Sequence, residues 1–357
     1  MARGDIRERA QRRRHAWVAA GVALTLLTAV MATAQVTTAG GGSLLIWPKV
    51  VADEGHDTVI MLVNRTNRAV NATCYYVRGD DASCAMTTFS LMLGGQQPTH
   101  WRASAGRPVN PDDPACSPSN NDCDGAGTDP GPVPAVPSGF AGALVCVEVD
   151  ATGAPVSGNS LIGTASLQHP TTGDVAQYDA LGVPGFDTNN GDGILCLGGA
   201  QSDECPNGAE YDGCPGQWAL DFVPEGAADP LAGTDSSVHT ELTVMPCTQD
   251  VRLSDSASVV VDFSVYNEFE TLFSASTSVA CWATRTLTAI NDSAFSAADL
   301  GTLHARAVAA VRDGGGGFAL VAQEFHRVSG AADSSAATGP HFDPASAQAD
   351  VIVPPVP

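Results

Sequence analysis

The sequence predicts an all-β protein, an antiparallel β-sandwich with long disulfide-bridged polar loops. Short apolar runs repeat along most of the chain, and several alternate apolar with polar residues in the period of two that a half-buried strand requires. The 37 glycines and 23 prolines punctuate these runs, as turns between strands require. A helical period of 3.6 is almost absent, which argues against an α/β class.

The clearest strand runs from Ser258 to Tyr266. Its apolar residues share one parity and its polar residues share the other: Val259, Val261, Phe263 and Val265 against Asp262, Ser264 and Tyr266. Residues 267–270 read Asn-Glu-Phe-Glu and break this run as a turn. A second alternating strand is expected to begin with Val279, Cys281, Ala283 and Leu287.

Further runs raise the expected number of strands to about fourteen. They span residues 44–51, 58–63, 69–77, 87–93, 99–103, 141–149, 160–167, 175–183, 218–223, 238–245, 302–311 and 318–328. Pro48 predicts an edge position for the first run, because proline cannot donate to a ladder. The run 58–63 is apolar on both parities and predicts a central strand covered on both faces.

Two polar stretches, residues 107–138 and 186–216, interrupt the strands. Residues 142–149 weakly resemble residues 301–308, which raises the hypothesis of two similar sandwich units, 35–185 and 186–328. The alternative is that any two β-hairpins look alike at this level, since such patterns recur in all sandwiches. The Ala/Ser/Asp/Pro-rich residues 329–357 are expected to form a flexible tail.

The first 34 residues have the pattern of a secretory signal peptide. A lead with six arginines precedes the apolar residues 16–31, and Ala32-Thr33-Ala34 fits the small-x-small cleavage rule. The alternative is an uncleaved membrane anchor, because the apolar stretch is nearly long enough to span a bilayer. The expected location is secreted or periplasmic.

Removing this leader leaves 11 basic and 37 acidic residues, a net charge of −26, and Lys49 is the only lysine. A surface so negative repels nucleic-acid phosphates and anionic lipid headgroups, which excludes both as partners. A cell-surface protein or a glycan stays open as a partner.

Ten cysteines in an exported chain predict disulfides rather than thiol chemistry. The spacing does not determine which cysteines pair. Short local loops give the expected pairs Cys116–Cys123, Cys205–Cys214 and Cys74–Cys84.

The first polar stretch contains a partial calcium loop. Its candidate oxygen ligands are Asn120, Asp122, Asp124 and Asp129, with Gly125 at the turn. The closing glutamate of an EF-hand is missing, because Gly131 occupies that place. A second, less regular set is Asp187, Asn189 and Asp192. The alternative for both stretches is a solvated acidic loop without an ion.

Catalytic motifs are absent from the sequence, since no nucleophile elbow, zinc-protease helix or phosphate loop is found. Glu324 and His326 share one face of a predicted strand and could act as acid and base, although such pairs are usually a solvated polar stripe. Aromatic residues that could stack on sugars are Tyr75, Tyr76, Trp101, Trp218 and Trp282. We expect Trp282 to fill the core beside Cys281.

Several motifs resemble a family of exported bacterial proteins of unassigned function. They are LLIWPKV, TVIMLVNRTN, AVNATCYYV, VYNEFETLFSASTSVACW and VAQEFH. The resemblance implies export and a β-rich fold, and nothing about mechanism.

Together these features predict a secreted, non-catalytic structural, surface or adhesion protein without a cofactor, apart from the possible calcium. The alternative is a carbohydrate-binding module with calcium-stabilised acidic loops, and a hydrolase with dispersed carboxylates is the third hypothesis.

Overall fold

A computed structural model describes most of the chain after the leader. The described residues are 40–79, 83–107, 122–123, 127–186, 192–198, 205–229, 235–250, 258–312, 316–329, 333–342, 347–348 and 350–354. The leader 1–34 therefore lies outside the described residues. Within these ranges, no helix is long and apolar enough to cross a membrane.

The described residues form twenty-five strands and three helices of four residues each. The first strands are β1 (Leu44–Ala52), β2 (Asp57–Asn64), β3 (Val70–Arg78), β4 (Met86–Leu93), β5 (Pro98–Arg102), β6 (Asp122–Cys123), β7 (Gly127–Thr128), β8 (Phe140–Val149), β9 (Leu161–Gln168), β10 (Val175–Asp179), β11 (Leu181–Val183), β12 (Leu195–Leu197), β13 (Cys214–Pro215) and β14 (Gln217–Phe222).

The chain continues with β15 (Ser236–Pro246), β16 (Gln249–Asp250), β17 (Ser258–Asn267), β18 (Leu272–Ala280), β19 (Ala283–Thr286), α1 (Leu287–Ile290), α2 (Asp292–Phe295), α3 (Ala297–Leu300), β20 (Ala305–Val311), β21 (Phe318–Val328), β22 (Ser334–Thr338), β23 (His341–Phe342), β24 (Ala347–Gln348) and β25 (Asp350–Val353).

These strands assemble into six sheets within the described part of the chain. The largest has the order β10-β9-β2-β1-β8-β3-β4, with β11 paired to β1 and β5 to β2. A five-stranded sheet has the order β18-β17-β20-β14-β23, and a four-stranded sheet the order β19-β15-β21-β22. The smaller sheets are β12-β25-β16, β13-β24 and β6-β7. The all-β class is confirmed, whereas the sandwich arrangement stays a prediction.

Strand β17 has the two faces that its sequence predicts. Tyr266 on one face is 40% exposed. The apolar residues of the other face are at most 5% exposed, and they are Val259, Val261, Phe263 and Val265. The next strand differs from the prediction, because β18 begins at Leu272 and the chain bends at Cys281. Cys281 adopts a positive φ of 61° there, so it cannot continue an extended strand.

The predicted edge position of β1 is wrong. This strand pairs with β8 on one side and with β11 and β2 on the other, and all nine of its residues are buried. The register with β8 shifts between Trp47 and Val50. Pro48 lies in this bulge, where no ladder bond requires its missing N–H, so an interior strand tolerates it.

The central position predicted for residues 58–63 is confirmed by β2, which pairs with β9 and with β1 and β5. The predicted burial of both faces is wrong, because Met61 is 41% exposed.

Three one-turn helices connect β19 to β20. Each begins at a side chain that caps it: Thr286, Asn291 and Ser296 accept a bond from the backbone N–H three residues later. The last helix ends at Gly301, which has a φ of 61°, the left-handed conformation that glycine tolerates best. Helices this short leave no 3.6-residue period for sequence analysis to detect.

The two sandwich units expected at 35–185 and 186–328 stay a prediction. Residues Gln35–Pro357 form one compact unit. The largest core cluster combines residues from early and late strands, such as Leu44, Val145, Phe263 and Leu320. Within the expected tail, residues 334–338 and 350–353 form strands, because β22 pairs with β21 and β25 with β12.

Four disulfides lie within the described chain, and three of them join residues 33 to 197 positions apart. They are Cys74–Cys146, Cys84–Cys281, Cys196–Cys205 and Cys214–Cys247. The expected pairs Cys74–Cys84 and Cys205–Cys214 are therefore wrong. The sheets bring Cys74, Cys84 and Cys214 to partners far away in sequence, whereas Cys205 pairs with the nearby Cys196. The pair Cys116–Cys123 lies outside the residues whose side chains are described. Disulfides indicate an oxidising compartment, extracellular or periplasmic.

Candidate functional site

The bulge in β1 is where the candidate site begins. A bulge leaves backbone groups without ladder partners, and here two side chains satisfy them. The hydroxyl of Tyr178 accepts a bond from the backbone N–H of Lys49 (3.1 Å) and donates one to its carbonyl (2.5 Å). The indole Nε1 of Trp282 donates to the carbonyl of Pro48 at 2.6 Å. These bonds fix the backbone on both sides of Lys49.

Lys49, the single lysine of the chain, is only 4% exposed. Its Nζ lies 2.9 Å from Oε2 of Glu241 and 5.9 Å from the ring centre of Phe325. Burial lowers the pKa of Lys49, and the carboxylate of Glu241 opposes that shift. A buried ammonium is costly unless it is paired, and the carboxylate of Glu241 provides that pairing.

An open cleft of about 490 Å³ lies beside this pair. We call it the Lys49 cleft. Strands β1, β15 and β21 line it together with residues from both ends of the β9–β10 turn and with Trp282. Its lining residues are Lys49, Val51, Asp53, His56, Ala141, His169, Thr172, Asp174, His239, Glu241, Trp282, Thr284, Gln323, Phe325, Arg327 and Asp333.

Three histidines line the cleft, and two of them contact the ring of Phe325. His239 stacks on it with ring centres 4.7 Å apart, and His56 meets it edge-on at 6.2 Å. The rings of His56 and His169 are 5.5 Å apart. Burial lowers the pKa of both His56 and His239. These two rings are therefore neutral near pH 7, and each neutral ring has one donor and one acceptor nitrogen.

The four carboxylates of the cleft all accept bonds from protein donors. Glu241 is bonded to Lys49 as described above. Asp53 accepts bonds from the backbone N–H groups of residues 55 and 56 at 2.7 and 2.6 Å. Asp174 accepts the hydroxyl of Ser335 at 2.5 Å, and Asp333 accepts Nε of Arg327 at 2.8 Å. Each carboxylate is thus held in place as a hydrogen-bond acceptor.

Gln323 provides a polar group that the protein does not satisfy. Its side chain lines the cleft and the residue is 2% exposed. Among the described residues, nothing accepts a hydrogen bond from its Nε2 atom. A buried donor without a partner costs about 1–3 kcal/mol. The Nε2 atom has less than 1 Å² of exposed surface, so it becomes a candidate contact for a ligand when the amide turns toward the cleft.

Of the five aromatic candidates, Trp282 is the one that lines the Lys49 cleft. It is partly buried, and it packs against the largest core cluster while it also lines the Lys49 cleft, so our expectation for it is confirmed in part. The chain turns at Cys281, and the disulfide to Cys84 fixes that turn. The other four aromatic candidates are at most 5% exposed and belong to the core: Tyr75, Tyr76, Trp101 and Trp218.

The candidate calcium ligands are only partly within the described residues. Asn120 and Asp124 lie outside them, as do Asp187 and Asn189 of the second set, and of Asp122 only the backbone is described. Asp129 is 5% exposed, and its Oδ1 accepts bonds from Arg107 at 2.6 Å and from the N–H of Gly131 at 2.8 Å. Because Arg107 already forms an ion pair with this oxygen, Asp129 is a less suitable calcium ligand than a carboxylate that is not paired with a cation.

A different trio brings potential metal ligands together within the described residues. Cys214, Cys247 and Asp350 have ligand atoms within 4.8 Å of one another, and all three are buried. The two sulfurs form a disulfide, so they are not thiolate ligands. Asp350 accepts bonds from the hydroxyl of Thr248 and from the N–H of Gly317. Burial raises the pKa of Asp350 to about 7.

The proposed acid–base pair of β21 does come together. Nε2 of His326 lies 2.9 Å from Oε1 of Glu324, and its Nδ1 lies 2.8 Å from Oδ2 of Asp229. Both ring nitrogens are thus occupied by carboxylates. This arrangement ties β21 to the segment before β15, and it leaves no ring nitrogen for a substrate.

Sequence reasoning missed the cleft because its residues are scattered. The three histidines lie at positions 56, 169 and 239, and no spacing rule connects them. One signal was available: a chain with a single lysine that places it within an apolar run, beside a proline.

Comparisons with known proteins add no family. No family model matches the chain, and no curated protein matches it. Among solved structures, it is similar to the viral chemokine binding protein R17 of rodent gammaherpesvirus Peru, with 6% identity over 81% of each chain and a TM-score of 0.15.

Two structures of a lectin from Pleurotus ostreatus also align, one without ligand and one in complex with GalNAc. Their identities are 11% and 10%, they cover 89% of this chain and 93% and 94% of theirs, and the TM-scores are 0.13 and 0.12. TM-scores this low carry no argument about fold or function.

Proposed function

We propose that this is an exported, non-catalytic surface or adhesion protein that binds a saccharide in the Lys49 cleft. The observation that carries the proposal is the buried amide of Gln323, which lines the cleft without a partner for its Nε2. A ligand hydroxyl that accepts this N–H, once the amide turns toward the cleft, would recover the free energy that the unmade bond costs.

The rest of the cleft supports a hydroxyl-rich ligand. A sugar hydroxyl donates one hydrogen bond and accepts others, so a site for it combines donors with acceptors. Neutral His56 and His239 provide both, and the fixed carboxylates of Asp53 and Asp174 provide acceptors. Trp282 adds an apolar ring on which sugar C–H groups pack.

Binding is favoured over hydrolysis by the state of the carboxylates. A glycosidase needs one protonated carboxyl group that is free to donate to the leaving oxygen. All four cleft carboxylates already accept bonds from arginine, lysine, hydroxyl or backbone donors, so each is already engaged as an acceptor. We therefore assign them to ligand positioning.

Export is the second part of the proposal. Its support is the four disulfides, which indicate an oxidising compartment, together with the leader pattern of residues 1–34. Calcium in the loop of Asn120, Asp122 and Asp124 is an additional proposal that the cleft does not require. It predicts a melting temperature that EDTA lowers, and a melting temperature unmoved by EDTA would exclude it.

A glycan array tests the binding proposal. We expect the purified protein to bind a defined group of glycans, and Gln323→Leu to lose at least about tenfold in affinity, the equivalent of one hydrogen bond. Gln217→Leu, an exposed glutamine of β14 outside the cleft, is the matched control and should bind as the wild type does. A silent array, or equal binding by Gln323→Leu, would overturn the proposal.

A further inference from the structure

Strand β18 is the outer edge of the five-stranded sheet. Its nine residues, LFSASTSVA, include no charged residue and no proline. Natural proteins usually protect an edge strand with charges, prolines or bulges, because open backbone groups pair readily with another strand. The pairing of β18 with β17 is regular over its whole length, so none of these protections is present.

The backbone edge of β18 is open within the described part of the chain. Every second residue of an edge strand directs its N–H and C=O away from the neighbouring strand. Among the described residues, no backbone or side-chain group outside β17 bonds to the backbone of residues 273–279. The edge strand β4 differs, because the N–H of Met92 donates to the carbonyl of Pro130.

We infer that β18 is an interaction surface for a second copy of this chain, paired antiparallel with the partner's β18. The strand is self-complementary in this arrangement. Full overlap of two nine-residue strands places Ser276 on the two-fold axis. Ser274 then lies opposite the partner's Ser278, and Leu272 opposite the partner's Ala280.

These cross-strand pairs fit without a penalty. On the solvent face, serines meet serines, and no like charges are opposed. Leu272 is 54% exposed in the single chain, and pairing covers part of it. A heterologous strand from another protein would also fit the open backbone, but this uncharged, symmetric sequence favours its own copy.

The charge of the chain predicts how the pairing responds to salt. Two copies with a net charge of −26 each repel one another over long distances, whereas the contact itself is uncharged. Salt screens the long-range repulsion and leaves the backbone bonds intact. The dimer is therefore expected to strengthen as the salt concentration rises, unlike an interface held by ion pairs.

Analytical ultracentrifugation of the purified protein tests this inference, with two matched double variants at exposed positions of β18. Ser274→Lys/Ser278→Lys opposes lysines twice across the axis, whereas Ser274→Lys/Ser278→Glu opposes lysine to glutamate. We expect a wild-type dimer that tightens with salt, a monomer for the first variant and a dimer for the second.

Two results would overturn the inference. One is a wild-type protein that stays monomeric at about 300 µM, a concentration at which even a small interface associates, in about 0.5 M salt. The other is a first variant that associates as strongly as the wild type. Far-UV circular dichroism of both variants verifies that they fold.

Discussion

Lys49 Nζ and Glu241 Oε2 lie 2.9 Å apart and join two sheets across 192 positions of the chain. Lys49 belongs to β1 of the nine-stranded sheet and Glu241 to β15 of the four-stranded sheet. Glu241 is 29% exposed in its side chain and Lys49 only 5%. The two partners therefore depend on one another unequally, because water reaches the carboxylate and hardly reaches the ammonium.

This inequality predicts different costs for removing each partner. Glu241→Gln leaves a buried ammonium without its counter-charge, and we expect a loss of about 3–5 kcal/mol in the free energy of unfolding. Lys49→Met leaves a carboxylate that water can solvate, so its cost should be smaller. Urea unfolding of both single variants and of the double variant measures the difference. Equal and additive losses would contradict this account of the pair.

Gln323 allows binding and stability to be separated. Gln323→Leu removes a buried donor that has no partner, so its free energy of unfolding should be unchanged or higher. Gln249→Leu is the control, because Nε2 of Gln249 donates to the carbonyls of Pro246 and Cys281. We expect this control to lose about 1–3 kcal/mol. Destabilisation of Gln323→Leu by a similar amount would show that its amide has a structural partner.

Asp350 predicts a pH-dependent stability. Its folded pKa of about 7 lies above the value of about 4 for an unfolded aspartate. The stability that this group contributes to the folded state is therefore fully present below about pH 4 and is lost as the pH rises through about 7. Asp350→Asn cannot ionise, so at pH 8 it should be more stable than the wild type by about 2–4 kcal/mol, and nearly equal at pH 4.

Urea unfolding of the wild type and of Asp350→Asn across this range measures the effect. The difference between the two proteins is the informative quantity, because every other titrating group is common to both. A difference that does not change with pH would mean that Asp350 titrates normally.

Removing different disulfides is expected to lower the free energy of unfolding by different amounts. Cys84–Cys281 closes a sequence separation of 197 residues and Cys196–Cys205 one of 9. Closing a longer loop removes more entropy from the unfolded chain. The double variant Cys84→Ala/Cys281→Ala should lose about 2–5 kcal/mol, and Cys196→Ala/Cys205→Ala less. Urea midpoints test the order, and a reversed order would show that local packing dominates.

The fold class could be predicted from the sequence because strand periodicity is local. The parity of residues 259–265 gave both the strand β17 and its buried face. Non-local features were not accessible in the same way. Pro48 predicted an edge strand, which is wrong, because the sequence of one strand cannot show whether a missing N–H lies at an edge or in a bulge. The sheets alone determine which cysteines meet.

The candidate site was even less accessible. The leading sequence candidate, the acidic loop around Asp122, depends on a contiguous motif. The Lys49 cleft depends instead on a bulge, a side-chain cap from Tyr178 and strands from two sheets. The groups that face the ligand come close together only after folding. The missing partner of Gln323 Nε2 results from side-chain packing, which no sequence pattern predicts.

The single lysine provides the most direct test of the central claim, that the cleft beside it binds a saccharide. Protein labelled only with [¹⁵N]lysine gives one backbone amide signal, that of Lys49, whose N–H donates to Tyr178. We expect a glycan selected on the array to shift this signal saturably in the wild type, with at least about tenfold weaker affinity in Gln323→Leu. A signal that stays unmoved while the glycan is bound would place the binding site elsewhere and contradict the account.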